Sequence, residues 1–148
     1  MKEHQVYITD FGISRDWTGM QDTTTGPAMR SPKYCAPEVA ANLPRNWSSD
    51  IWSLGCVFLE ILSVLHDESP STLTNYLKTI GTGSESYCNN LEAVDSWRKM
   101  LLHKTSDEKF NPPAQWISWM IEADPRDRCN AQMLFDTCLL YTSPSPRD

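Results

Sequence analysis

Residues 48–65 of the chain read SSDIWSLGCVFLEILSVL. The polar triplet at residues 48–50 supplies N-cap chemistry, so a helix is predicted over Asp50–Leu65. Apolar side chains cover nearly its whole circumference, which is typical of a central, buried helix. The apolar run Ile51–Leu65 is shorter than the roughly 20 residues of a membrane span and carries Glu60. The segment therefore predicts a core helix.

Length and charge limit the classes of protein that fit. The chain has 148 residues, which suits one domain or part of one. Its net charge is -6 and it has no Lys/Arg cluster, so neither a nucleic acid nor an anionic membrane surface is an expected partner. No apolar signal core stands at the N-terminus, and we expect an intracellular, cytoplasmic or nuclear protein.

Cysteine and histidine spacing predicts neither disulfides nor a zinc site. The number of cysteines is odd and none forms a C-x-x-C pair, which favours reduced thiols. They are Cys35, Cys56, Cys88, Cys129 and Cys138.

The rest of the chain is predicted to alternate between loops and helices. A short strand, Val6–Thr9, enters a turn, and a long loop rich in Thr, Ser, Gly and Pro follows to residue 37. Loops this long in compact domains are usually functional. Helices are expected over Pro37–Ala41, Ser71–Ile80, Leu91–His103, Pro113–Ile121 and Ala131–Phe135.

The last eleven residues, CLLYTSPSPRD at 138–148, have two interpretations. One is a Ser/Pro linker with Ser-Pro phosphosites. The other is that the peptide resembles a translated transposase-type sequencing adapter. We favour the adapter, exclude the tail from fold reasoning and take residues 1–137 as the domain.

Four short motifs follow one another along the chain. They are Asp10-Phe11-Gly12, then Ala36-Pro37-Glu38 preceded by SPKYC, then Asp50–Gly55 (DIWSLG), then Asp124-Pro125-x-x-Arg128. Each alone is weak, but the ordered set resembles the C-terminal lobe of a eukaryotic serine/threonine protein kinase over residues 5–135. The resemblance implies a mainly α fold, namely the large lobe of the two-lobe α+β kinase fold, truncated at both ends.

The resemblance implies ATP and Mg²⁺ as cofactors, because kinase Mg²⁺ ions bridge the ATP phosphates. Asp10 would be the metal- and cofactor-binding carboxylate, Gly12 would permit the sharp turn, and Phe11 would pack inward. The alternative is that Asp10 only caps a turn.

The loop over residues 13–29 resembles an activation segment. Thr23, Thr24 and Thr25 are candidate phosphosites, since a phosphate can order a loop by pairing with Arg. The alternative is a solvated threonine run.

Arg30, Ser31, Pro32 and Tyr34 occupy the place of the substrate-facing G-T-P-x-Y of serine/threonine kinases. Ser31 keeps the hydroxyl that contacts catalytic residues in the family. Arg30 departs from the family's glycine and would suit an acidic residue in a protein substrate.

Three further residues are expected to be structural. Glu38 and Arg128 resemble a buried ion pair that ties the A-P-E helix to the last helices. Asp50 resembles the residue that holds the catalytic-loop backbone, although a helix N-terminal acid is also favoured by the helix dipole.

The sequence contains no H-R-D-x-x-x-x-N loop, no Gly-rich loop and no paired strand Lys and helix Glu. No catalytic residue is therefore assigned in this chain. We expect a kinase gene product cut at both ends, active as the parent protein and inactive as this fragment. The rival hypothesis is a pseudokinase or scaffold lobe that binds protein partners.

Overall fold

A computed structural model of the chain describes residues 31–104 and 108–142. Within these residues the protein is mainly α-helical, which confirms the predicted class. The helices are α1 (Pro37–Ala40), α2 (Ser48–Leu65), α3 (Pro70–Ile80), α4 (Leu91–Lys104), α5 (Asn111–Met120) and α6 (Ala131–Thr142). Short 3₁₀ turns lie at Pro32–Tyr34, Tyr87–Asn89 and Glu108–Phe110. The predicted strand Val6–Thr9 lies outside the described residues.

The start of α2 differs from the prediction. The helix begins at Ser48, so the triplet predicted as its cap lies inside it. The Asn46 side chain instead satisfies one free helix donor, because its amide oxygen accepts the Ser48 N–H at 2.9 Å; the same oxygen accepts the Ser48 hydroxyl at 2.7 Å. At α3, the Ser69 hydroxyl oxygen accepts the Thr72 N–H at 3.1 Å, as expected of an N-cap serine.

One side of α2 forms the centre of the core. It packs against α5, α3 and α4. Trp52, Cys56 and Leu59 on this side are completely buried. α5 approaches α2 closely at Gly55, where an added Cβ would lie 2.7 Å from the Cβ of Met120. The glycine is therefore required for this helix contact.

The other side of α2 is apolar and exposed, so the prediction of a helix buried all round is only half right. The described elements cover one face, and five apolar side chains on the opposite face are 40% to 59% exposed. These residues, the open face of α2, are Leu54, Val57, Ile61, Val64 and Leu65.

Length does not separate α2 from a membrane helix as the sequence suggested. Its 18 residues are long and apolar enough to cross a membrane, a test that core helices also pass. The packed side of α2 is what identifies it as a core helix.

The last helix is longer than predicted. Instead of stopping at Phe135, α6 continues through Thr142, because no helix breaker occurs before Pro144. Met133, Phe135, Leu139 and Leu140 are exposed along it. All five cysteines are free thiols.

Candidate functional site

Six of the residues singled out in the sequence lie in the described part of the chain. They are Ser31, Pro32, Tyr34, Glu38, Asp50 and Arg128. The others lie outside it: Asp10, Phe11, Gly12, Thr23, Thr24, Thr25 and Arg30.

Residues Ser31–Tyr34, which the kinase resemblance predicts to face the substrate and which we call the substrate-facing segment, form one tight turn. The Tyr34 N–H donates to the Ser31 carbonyl at 3.2 Å, and Pro32 begins the 3₁₀ turn, where its missing N–H costs nothing. Ser31 and Pro32 are exposed, whereas Lys33 and Tyr34 are half-buried. The turn thus presents the Ser31 end to solvent and its other end to the core.

Glu60 of α2 accepts hydrogen bonds from the side chains at the inner end of this segment. The Lys33 ammonium donates to its carboxylate at 2.7 Å and the Tyr34 hydroxyl at 3.0 Å. A third donor, the Tyr87 hydroxyl, lies 2.9 Å from the same oxygen atom, Oε1. One carboxylate in an apolar helix therefore joins α2 to the substrate-facing segment and to the 3₁₀ turn before α4.

Charge and burial in this cluster shift several pKa values. Burial alone would raise the pKa of Glu60, but hydrogen bonds from Lys33 and Tyr87 lower it overall. Burial and the hydrogen bond to Glu60 raise the pKa of Tyr34 and of Tyr87. Burial alone would lower the pKa of Lys33, but the hydrogen bond to Glu60 and the charge of its carboxylate raise it overall. These shifts favour an ionised Glu60 carboxylate, with Lys33 and the two tyrosines as protonated donors.

Two serine hydroxyls hold the backbone of the same segment. Ser53 of α2 donates to the Tyr34 carbonyl at 3.0 Å. Ser86 donates to the Pro32 carbonyl at 2.9 Å. Ser53 thus anchors the turn to α2.

The structure brings Glu38 and Arg128 together although 90 residues separate them in sequence. The two guanidinium nitrogens donate to the two carboxylate oxygens at 2.8 and 2.9 Å. Arg128 also donates to the carbonyls of Ser48, Glu122 and Ala123. Both charged side chains are buried, so this fully bonded pair links α1 to α2 and to the turn before α6.

Asp50 lies in the first turn of α2 and is exposed. Partial desolvation raises the pKa of its carboxyl, and Arg45 opposes the shift. In the described part of the chain no hydrogen bond to its side chain is seen. A carboxylate at this position is free to accept further donors, and the helix dipole favours its charge.

Sequence reasoning missed Glu60, Ser86 and Tyr87 as members of this site. The available signal was Glu60 itself, since an acid inside an apolar helix normally needs partners. Nothing in the spacing identified those partners.

Within residues 31–104 and 108–142, no group of three His, Cys, Asp or Glu side chains could hold a metal ion.

The chain matches a known protein family over most of its length. The sequence model of the family described as "Protein kinase domain" matches residues 1–140. The chain belongs to the protein kinase domain family.

Among curated proteins, the chain is similar to several serine/threonine-protein kinases. It is 34% identical to Nek1 of Mus musculus over 56% of this chain and 7% of that protein. It is 30% identical to Nek11 of Macaca fascicularis over 60% of this chain and 16% of that protein. With nekl-2 of Caenorhabditis elegans the identity is 39%, over 38% of this chain and 15% of that protein. The chain thus spans a small part of these relatives. No solved structure matches it significantly.

Proposed function

We propose that this chain is the substrate-binding part of a serine/threonine protein kinase that transfers the γ-phosphate of ATP to protein hydroxyls. The observation that carries the proposal is the anchored substrate-facing segment, Ser31–Tyr34. Its inner end is bonded to Glu60 and Ser53, while Ser31 is exposed. Family membership and the names of the relatives support the same reading.

The division of this segment into a fixed end and an open end suits a surface that receives a polypeptide. Orienting a reactant lowers the barrier only if the surface that holds it is itself rigid. The turn is held at two carbonyls and two side chains, so an incoming hydroxyl would meet a fixed backbone next to Ser31. Asp50 would hold the neighbouring backbone through its open carboxylate oxygens.

ATP and Mg²⁺ enter the proposal through the family resemblance, with Asp10 as the metal-binding carboxylate. When bound, the metal would neutralise charge on the phosphate oxygens. The 148-residue chain is expected to transfer no phosphate, because its sequence contains neither the catalytic loop nor the nucleotide-binding loop. Both loops would have to be supplied from outside these 148 residues for transfer to occur.

A full-length read of the transcript across its 5′ end is the first test. The encoded protein is then assayed for transfer of labelled phosphate from Mg²⁺–ATP to Ser/Thr peptides. We expect transfer by the full-length protein, none by the 148-residue chain, and loss of transfer in Asp10→Asn. Asp67→Asn is the matched control, because Asp67 is exposed and its positive φ of 60° suits asparagine equally well.

Two outcomes would contradict the proposal. Phosphate transfer by the pure 148-residue chain would show that it does not need the catalytic loop and the nucleotide-binding loop that its sequence lacks. A full-length protein without transfer, whose catalytic Asp or strand Lys is replaced, would favour the pseudokinase or scaffold.

A further inference from the structure

The segment between α3 and α4, residues 84–90, is built around one buried amide. Asn90 is 2% exposed, and its Nδ2 donates to the carbonyls of Ser84 and Ser86 at 2.9 and 2.8 Å. Its Oδ1 accepts the Thr82 N–H at 2.7 Å. A buried amide with all these partners fixes the loop around it. Residues 84–90 are therefore a rigid body next to the substrate-facing segment.

This body contacts the substrate-facing segment at both ends. The Ser86 hydroxyl donates to the Pro32 carbonyl at 2.9 Å. The Tyr87 ring centroid lies 5.8 Å from that of Tyr34, and the Tyr87 hydroxyl shares the carboxylate of Glu60 with the Tyr34 hydroxyl. Tyr87 is completely buried. One contact holds the outer backbone and the other holds the inner side chain.

We propose that Ser86 and Tyr87 are positioning residues that set the orientation of the Ser31–Tyr34 turn, and so the affinity for the protein substrate. The inference rests on the proposed function. It makes residues 84–90, which lie some 50 positions after the turn in sequence, part of the same site. Both residues would act on the substrate only through the turn, Ser86 by way of Pro32 and Tyr87 by way of Glu60.

The contacts differ from ordinary core packing in one respect. Tyr87 reaches Glu60 through its hydroxyl, so Tyr87→Phe removes a donor while it keeps the buried ring. Ser86→Ala removes the bond to Pro32 at a half-buried position. Each variant loosens the turn without a cavity in the core.

Tyr76→Phe is a matched control. The Tyr76 ring packs against Trp97 in a tilted arrangement, with ring centroids 5.0 Å apart, and its hydroxyl makes no hydrogen bond within the described residues. The same atom is deleted from the same residue type, but away from the substrate-facing segment. Ser86→Thr is the rescue variant because it keeps the hydroxyl donor.

The first measurement is hydrogen exchange of the backbone amides of residues 31–36 in the full 148-residue chain. Losing one hydrogen bond is expected to speed this exchange by about two- to tenfold in Tyr87→Phe and in Ser86→Ala. The amides of α4 should keep their rates, as should all amides in Tyr76→Phe and Ser86→Thr. Unchanged exchange at residues 31–36 in both variants would overturn the proposal, as would equal acceleration throughout the chain.

The second measurement is steady-state kinetics in the full-length kinase. We expect the KM for the peptide to rise by about two- to tenfold in both variants, while the KM for ATP stays constant. Equal increases in both KM values would indicate a structural role and overturn the proposal. If the full-length protein transfers no phosphate, the proposed function fails, whereas the exchange result still decides whether residues 84–90 hold the turn.

Discussion

The buried ion pair between Glu38 and Arg128 allows a quantitative prediction for Glu38→Gln. The substitution keeps the shape of the side chain but leaves the Arg128 guanidinium, 4% exposed, without a counter-charge. Removing one partner of a buried pair costs about 3–5 kcal/mol of the free energy of unfolding. Arg128 retains three backbone carbonyl acceptors, so we expect the lower end of that range, about 3 kcal/mol.

The assay is urea unfolding followed by tryptophan fluorescence. Trp52 is a suitable reporter, since the Arg128 guanidinium lies 5.3 Å from its ring centroid. The loss corresponds to a fall in thermal midpoint of about 6–12 °C for a domain of this size. Glu92→Gln is the control, because Glu92 is exposed in the first turn of α4 and should change stability by less than about 0.5 kcal/mol.

A double variant separates the ion pair from other effects. In Glu38→Gln/Arg128→Met no buried charge remains, so its loss of stability should be smaller than the sum of the two single losses. A cost below about 1 kcal/mol for Glu38→Gln, or strictly additive losses, would show that the ion pair contributes little to stability.

Three other perturbations have defined outcomes. Gly55→Ala should cost about 1–3 kcal/mol in urea unfolding, because α5 leaves no room for the added methyl group. Ile61→Lys, on the open face of α2, should reduce the concentration-dependent association that we expect of the chain, measured by light scattering. The difference in free energy of unfolding between wild type and Glu60→Gln should shrink as the pH falls below 4.5. The pKa of Glu60 is lower in the folded than in the unfolded protein, so the ionised carboxylate stabilises the fold above pH 4.5, and this stabilisation is lost as the carboxylate protonates.

Each of these has a control and an outcome against it. Ser96→Ala places an alanine at an exposed helix position as the control for Gly55→Ala. Equal changes in the free energy of unfolding in the two variants would contradict a tight contact between α5 and Gly55. Ile80→Lys alters an isoleucine at the end of α3, and a monodisperse wild-type monomer would contradict the role of the open face. A pH-independent gap for Glu60→Gln would mean that Glu60 is not the titrating group.

The helices were predictable because their signals are local. Apolar periodicity and capping chemistry lie within one or two turns of each helix, so α1 to α5 appear within a few residues of the predicted ranges. At the start of α2, Asn46 and Ser48 both have side chains that can cap a helix, and the predicted first residue of the helix was wrong.

The ordered set of motifs identified the family, and the resemblance to that family implied the pairing of Glu38 with Arg128, which the structure confirms. Which half of α2 is buried and which donors reach Glu60 follow from the tertiary packing alone. Those donors stand 26 and 27 residues away in sequence, on both sides of it. A carboxylate in an apolar helix demands partners, but the packing of whole helices against one another determines which side chains come within hydrogen-bonding distance of it.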